Sequence, residues 1–156
     1  MSIRFNTKQV SLFAVFILLT LTLTLDHAYA TTIAVGSNPT DVVFDSHLNE
    51  VFVSNYDSGS GSTVSVISDA TNEVTASITV GINPANVVFD SHLNEVFVSN
   101  YDSGSGNTVS VISDATNTVT ETVTVGSGPY GVAFDSNKRE VFVANNISGT
   151  VSVLSG

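Results

Sequence analysis

The chain has 156 residues, with 4 basic and 14 acidic side chains and a formal net charge of −10. Such a charge repels phosphate backbones and argues against a nucleic-acid partner. The sequence contains no cysteine, which excludes disulfides, thiolate nucleophiles and zinc–thiolate sites.

Residues 1–30 have the pattern of a secretory signal peptide. Arg4 and Lys8 precede an apolar run at residues 10–25, and Ala28 and Ala30 form a small-x-small cleavage site. We therefore expect cleavage after Ala30 and a secreted, periplasmic or cell-surface protein. The alternative is an uncleaved membrane anchor, although the apolar run is shorter than the roughly 20 residues of a spanning helix.

Residues 31–156 repeat themselves with a period of 45 residues. The segment VVFDSHLNEVFVSNYDSGSG at residues 42–61 recurs letter for letter at residues 87–106, and a looser copy begins at Val132. This period is typical of blades or solenoid units, which cannot bury their apolar faces alone. The repeats extend over residues 35–79, 80–124 and 125–156.

Each repeat predicts four short β-strands rich in Val, Ile, Thr and Phe. In the first copy the strands occupy residues 41–45, 50–55, 62–68 and 73–80. Residues 46–49 (SHLN) predict a tight connection. Residues 69–72 (DATN) predict another, because Asp favours the opening of a turn and Asn tolerates positive φ at its close.

The apolar pattern of these strands indicates the type of sheet. The second and third strands are apolar on successive residues, which predicts burial on both faces. The fourth strand alternates, with Val74, Ala76, Ile78 and Val80 expected on one face of an edge strand. We therefore predict an all-β fold of four-stranded antiparallel β-propeller blades, with a flat solenoid as the alternative.

The order of these motifs resembles the YVTN β-propeller repeat. Gly-x-x-Pro, a short apolar strand, VFVSN, TVSVI and DATN follow one another, and the naming tetrad reads FVSN at residues 52–55 and 97–100 and FVAN at residues 142–145. The resemblance covers residues 31–156. It implies the seven-bladed type of propeller found in archaeal surface-layer and other exported proteins, and it implies no particular reaction.

The number of repeats departs from that family. TTIAVG at residues 31–36 aligns with ASITVG at residues 76–81, which predicts a closing strand of the fourth type and three blades in all. Closed propellers use four to eight blades. We therefore expect either a homodimer that completes a six-bladed ring or a fragment of a longer propeller.

Two motifs contain residue types that can perform chemistry. Asp45-Ser46-His47 has the residue types of a hydrolytic triad, but neighbours on one turn cannot converge, so we expect a solvated turn. Asp57 and Asp102 lie in glycine–serine loops that are weak candidates for calcium sites, because each loop offers one carboxylate. Flexible connection is the favoured role of these loops.

Other candidate residues lie at the ends of loops. Tyr56, Tyr101 and Tyr130 are expected either to line a sugar or peptide surface or to cap hydrophobic edges. Asn146 begins the sequon Asn-Ile-Ser and is a candidate for glycosylation.

We predict no catalytic residue, no cofactor and no enzymatic activity. The predicted function is that of an exported binding or scaffold module, whose partners are a second copy, other surface proteins or glycans. The alternative is a fragment or subunit of a propeller enzyme, lactonase-like or cofactor-handling, or of a redox-partner protein. Near-identical repeats present the same groups from each blade, which favours repetitive contact over a single reaction centre.

Overall fold

The computed structural model describes residues 30–57 and 62–155, so the predicted signal peptide lies outside the described residues except for Ala30. The described strands form three antiparallel sheets, one from each repeat, within the unit of residues 33–156. Sheet 1 contains β1 (Pro39–Asp45), β2 (Glu50–Asn55), β3 (Thr63–Ser68) and β4 (Glu73–Thr79); sheet 2 contains β5 (Pro84–Asp90), β6 (Glu95–Asn100), β7 (Thr108–Ser113) and β8 (Thr118–Thr124); sheet 3 contains β9 (Pro129–Asp135), β10 (Glu140–Asn145) and β11 (Thr150–Ser155).

The all-β prediction is confirmed. Each sheet is a meander in which consecutive strands pair, and the strands begin and end within two residues of the predicted bounds. The middle strands are buried on both faces, as their apolar pattern predicts, and Val96, Phe97 and Val98 are all buried. No helix among residues 30–57 and 62–155 is long and apolar enough to cross a membrane.

The tight turns have the predicted chemistry. The Asp45 carboxylate accepts hydrogen bonds from the backbone N–H groups of His47 (2.7 Å) and Leu48 (3.4 Å), which closes an Asx turn between β1 and β2. Asn49 and Asn72, the last residues of the two turns, have φ values of 57° and 56°. Asparagine tolerates this left-handed conformation better than other residues with a side chain.

The expected single apolar face of the fourth strand is wrong. A β-bulge interrupts the pairing of β7 with β8, so Val111 pairs with Glu121 while Ile112 pairs with Val119. The extra residue reverses the side-chain alternation. Val119 therefore packs in the core between sheets 1 and 2, whereas Val123 packs in the core between sheets 2 and 3. The pairing of β3 with β4 is interrupted at the same point.

The sheets stack face to face and fan out from one side. The first strands β1, β5 and β9 contact one another in order, while the fourth strands β4 and β8 make few contacts. This is the arrangement of propeller blades around an axis, with the first strand innermost. We call the face that packs on the following sheet the trailing face, and the opposite one the leading face. The trailing face of sheet 1 presents Phe52, Val64, Val66 and Ile78 to Val87, Phe89, Val96, Val98 and Ile112 on the leading face of sheet 2.

Among the residues that the structure describes, only the middle sheet has both faces covered by other sheets. Val42 and Val87 occupy the same repeat position on leading faces, yet their exposed fractions are 61% and 5%. At the opposite end of the stack, Val151 and Val153 on the trailing face of sheet 3 are 61% and 51% exposed. Their counterparts Val109 and Val111 in sheet 2 are buried. The two ends of the stack are therefore bare apolar surfaces.

The segment predicted as the closing strand forms no strand in this structure. Residues 31–35 have no regular secondary structure, and sheet 3 has three strands with β11 at its edge. Pairing of residues 31–36 with another chain stays a prediction.

Candidate functional site

The three candidate tyrosines form a row across the loop end of the sheets. The ring centroids of Tyr56 and Tyr101 are 6.5 Å apart with an interplanar angle of 36°, and those of Tyr101 and Tyr130 are 5.4 Å apart in an edge-to-face arrangement. Tyr56 and Tyr101 are half-buried and Tyr130 is exposed. The row therefore presents aromatic surface to solvent across all three repeats.

Backbone hydrogen bonds place the tyrosines. The N–H of Tyr56 donates to the carbonyl oxygen of Asn38 (2.9 Å), and the N–H of Tyr101 donates to that of Asn83 (3.1 Å). Asn146 occupies the equivalent position in the third repeat and makes the same bond to Gly128. The third ring comes instead from Tyr130, the second residue of β9, so two different repeat positions supply the row.

A buried asparagine supports the loop end of each sheet. The Asn55 side-chain nitrogen donates to Thr63 Oγ1 (3.1 Å) and Ser65 Oγ (3.0 Å), and Asn100 and Asn145 repeat the pattern. A Cβ added to Gly36 would lie 2.6 Å from the Asn55 side chain, so this linker position requires glycine. Sequence reasoning missed this support, although the fixed phase of Gly and Asn in the repeats was a signal for it.

The loops that carry Asp57 and Asp102 are held by side-chain contacts. Asn83 Nδ2 donates to the carbonyl oxygen of Asp57 (2.6 Å), and the hydroxyl of Ser103 donates to Asn83 Oδ1 (3.0 Å). Within the second loop, Ser105 Oγ donates to the Asp102 carboxylate (2.9 Å). No three His, Asp or Glu side chains converge as a metal-binding group in the described part of the chain. Calcium binding by Asp57 or Asp102 stays a weak prediction.

Asn146 lies in an exposed loop between β10 and β11. The hydroxyl of Ser148, the third residue of the sequon, is 2.9 Å from Thr150 Oγ1. The side chain of Asn146 is thus on the surface, and its glycosylation stays a prediction.

The residues of the Asp-Ser-His motif do not converge. Asp45 binds the backbone of His47 rather than its ring, and Ser46 is exposed. The imidazole instead reaches the next sheet, where Nδ1 lies 2.8 Å from Asp114 Oδ2. Because Asp114 is buried, its carboxylate has lost hydrogen bonds to water, and the contact with His47 replaces one of them. His47 of this motif therefore has a stacking role, in the sense that it links sheet 1 to sheet 2, and the local sequence does not reveal this.

A cleft of about 330 Å³ opens between sheets 2 and 3 at the end opposite the tyrosines. Asp90, Glu95 and Glu121 contribute carboxylates to its lining, and Arg139 contributes a guanidinium. Burial raises the pKa of Glu95 above its ordinary value of 4.5, and the negative charges of Asp90, Glu121 and Asp114 raise it further. The pairing of strands within sheet 2, which places Glu95 opposite Asp90, thus brings carboxylates together at a cost in free energy.

We expect His47→Ala to lower the free energy of unfolding by on the order of 1–3 kcal/mol, because the buried Asp114 carboxylate loses its partner. Urea unfolding measures this loss. His92→Ala is the matched control, since its ring has no hydrogen-bond partner among the described residues. Equal losses in the two variants would contradict the stacking role of His47.

We expect Glu95→Gln to stabilise the protein at neutral pH. The raised pKa means that the folded state retains a proton which the unfolded chain has already released, so the Glu95 carboxyl loses its stabilising contribution as pH rises above 4.5. The glutamine side chain undergoes no such change. The advantage should disappear below pH 4.5 in urea melts. Glu140→Gln, which removes the same charge from sheet 3, is the control, and an identical pH profile for both variants would contradict the assignment.

Comparison with known proteins bears on the fold. No protein-family model and no curated protein matches the sequence. The chain is similar to the solved structures of hydrazine synthase from Kuenenia stuttgartiensis (TM-score 0.66, 20% identity), a functionally unknown protein from Desulfotomaculum acetoxidans DSM 771 (0.65, 16%) and the WD40 β-propeller domain of Doa1 (0.55, 13%). The alignments cover 82%, 85% and 68% of this chain but only 36%, 43% and 33% of those chains. The likeness shows propeller-type blades, in a chain that spans less than half the length of these structures.

Proposed function

We propose that the protein is an exported β-propeller repeat module of the YVTN type, which binds neutral glycans at or near the cell surface. The row formed by Tyr56, Tyr101 and Tyr130 carries the proposal. Its rings lie side by side on one end of three blades, with Tyr130 open to solvent. Aromatic side chains that combine an apolar face with a polar tip are suited to binding surfaces.

The surroundings of the row favour a sugar that carries no negative charge. A hydroxyl and a carboxylate group, those of Ser103 and Asp102, lie in the same loop as Tyr101. Such groups can hydrogen-bond to sugar hydroxyls. The net charge of −10 opposes binding of anionic polymers.

Two features support the export and family assignments. Residues 1–30 have the three regions of a signal peptide, and of the YVTN motifs Gly-x-x-Pro, VFVSN or VFVAN, and TVSVI or TVSVL occur in order three times, while DATN occurs twice. The similarity to hydrazine synthase is at 20% identity and concerns the fold alone, so it gives no support to an enzymatic role.

We expect the exported protein to begin at Thr31. Expression of the full chain in a host with a secretion pathway, followed by N-terminal sequencing of the material outside the cytoplasm, tests this expectation. Ala30→Arg should block processing, because signal peptidases require a small residue there. Full-length protein retained in the cytoplasm would contradict export.

We expect Tyr101→Ala to weaken glycan binding roughly tenfold, because the central ring contacts both neighbours in the row. Native gels cast with a soluble β-glucan or a mannan measure affinity by retardation. Tyr101→Phe keeps the ring and should bind nearly as well, and an anionic alginate should retard neither protein. Wild-type protein that migrates unretarded through both neutral glycans would overturn the proposal.

A further inference from the structure

The two exposed sheet faces at the ends of the stack are of the two kinds that pack together inside the chain. In the described residues, each trailing face packs on the leading face of the next sheet. Sheet 3 leaves a trailing face open and sheet 1 leaves a leading face open. Phe44 on that open leading face is 50% exposed, whereas Phe89, the same residue one repeat later, is 8% exposed against sheet 1.

We propose that a second copy of this chain covers both ends, so that sheet 3 of each chain packs on sheet 1 of the other. Two such seams close a six-bladed ring with twofold symmetry. Each seam joins the trailing face of sheet 3 in one chain to the leading face of sheet 1 in the other. Because the two seams use both open faces of both chains, no open face is left for a third chain. The proposal does not rest on the glycan, although Tyr130 of the tyrosine row also lines one side of the new seam.

The seams inside the chain show which contacts the new seam would make. At the first seam, Ser54 Oγ and Thr40 Oγ1 donate to the carbonyl oxygen of Ala85, at 3.2 and 2.8 Å. At the second seam, Ser99 Oγ donates to the carbonyl oxygen of Tyr130 (2.6 Å). The carbonyl that would occupy this place at the new seam is that of Thr40 of the second copy.

In this structure a cavity lies where the Thr40 carbonyl of the second copy would bind. It has a volume of about 750 Å³ beside the trailing face of sheet 3, where its lining includes Tyr130, Ala144 and Val151. Ala144 replaces the serine of the other two repeats, so the open face lacks the hydroxyl that binds the next sheet. The Pro39 and Thr40 region of the second copy would fill the cavity.

Charge complementarity favours the same pairing. His47 in the β1–β2 turn contacts Asp114 in the β7–β8 turn across the first seam. At the new seam the equivalent positions are Asn137 and Asp69 of the second copy. Lys138 directly follows Asn137, and its Nζ lies 6.0 Å from the centroid of the Phe142 ring on the trailing face of sheet 3. The positive turn of one chain would therefore face an acidic turn of the other.

The N-terminal segment can complete the three-stranded sheet. Gly36 already packs on Asn55, as Gly126 packs on Asn145, and its N–H lies 3.4 Å from Ser65 Oγ. This is the linker position between one sheet's fourth strand and the next sheet's first strand. The preceding residues 31–35 align with a fourth strand, and β11 of the second copy offers a free edge for them.

The buried area is sufficient for a stable dimer. Sheet faces of this size measure roughly 350 Å² for four strands and roughly 260 Å² for three. Two seams would therefore bury about 1,200 Å², the lower end of the range for specific interfaces. Backbone pairing of two exchanged strands would add to this.

Light scattering coupled to size exclusion tests the assembly with the full chain as an exporting host produces it. We expect twice the single-chain mass at micromolar concentration. Val151→Asp should give single chains with an unchanged circular dichroism spectrum, because the residue is exposed in one chain alone. Ala115→Asp, which adds the same charge to an exposed turn of sheet 2, should remain a dimer. A single-chain mass for the wild type would overturn the proposal.

Cysteine pairing tests the head-to-tail geometry. Asn137→Cys and Asp69→Cys chains are produced together and treated with a short bismaleimide. We expect a covalent product containing one chain of each kind, and little coupling when either variant is produced alone. His47→Cys/Asp114→Cys, which spans the equivalent positions inside one chain, is the control for reach. Coupling of Asn137→Cys to itself as readily as to Asp69→Cys would show a different interface and overturn the proposal.

Discussion

The structure depends on burial of one apolar sheet face against the next. A meander of four short strands leaves apolar side chains on both of its faces, and no single repeat has a second layer with which to cover them. Stacking covers the trailing face of one sheet with the leading face of the following one. The hydroxyls of Ser54 and Ser99 set the distance between sheets by binding carbonyl groups of the next sheet. Within residues 30–57 and 62–155, sheet 2 alone is covered by a neighbouring sheet on both faces.

The same stacking creates the surface that we propose as functional. Each loop end is held by a buried asparagine, and the linker that precedes each sheet passes over that asparagine at a glycine, so successive loops lie close together. This spacing lets Tyr101 contact both Tyr56 and Tyr130. At the other end of the sheets, burial raises the pKa of Glu95, and strand pairing within sheet 2 adds the negative charges of neighbouring carboxylates. One periodic arrangement thus produces an aromatic surface at one end and an acidic cleft at the other.

Local patterns predicted the strands and turns well, because β-branched alternation and the Asp and Asn turn residues act over a few positions. The fourth strand was mispredicted at Val74, since a bulge depends on pairing with a neighbouring strand. The three tyrosines were candidates individually, but their row required the spacing between sheets. The contact of His47 with Asp114 joins residues 67 positions apart, and the local motif indicated only a solvated turn. Repeated sequence hides such contacts, because the first two copies offer the same histidine and, among the described residues, only His47 has the partner.

The sequence by itself determined the all-β class, the repeat boundaries, the strands and the turn conformations. These features follow from side-chain branching, backbone preferences and periodicity, which each residue carries wherever its repeat stands. The tertiary structure alone decided which copies are buried. Val42 and Val87 are the same residue in the same local sequence, but one faces solvent and the other faces sheet 1. A residue is buried only if another sheet packs on its face, and the position of its sheet in the stack decides whether such a sheet is present.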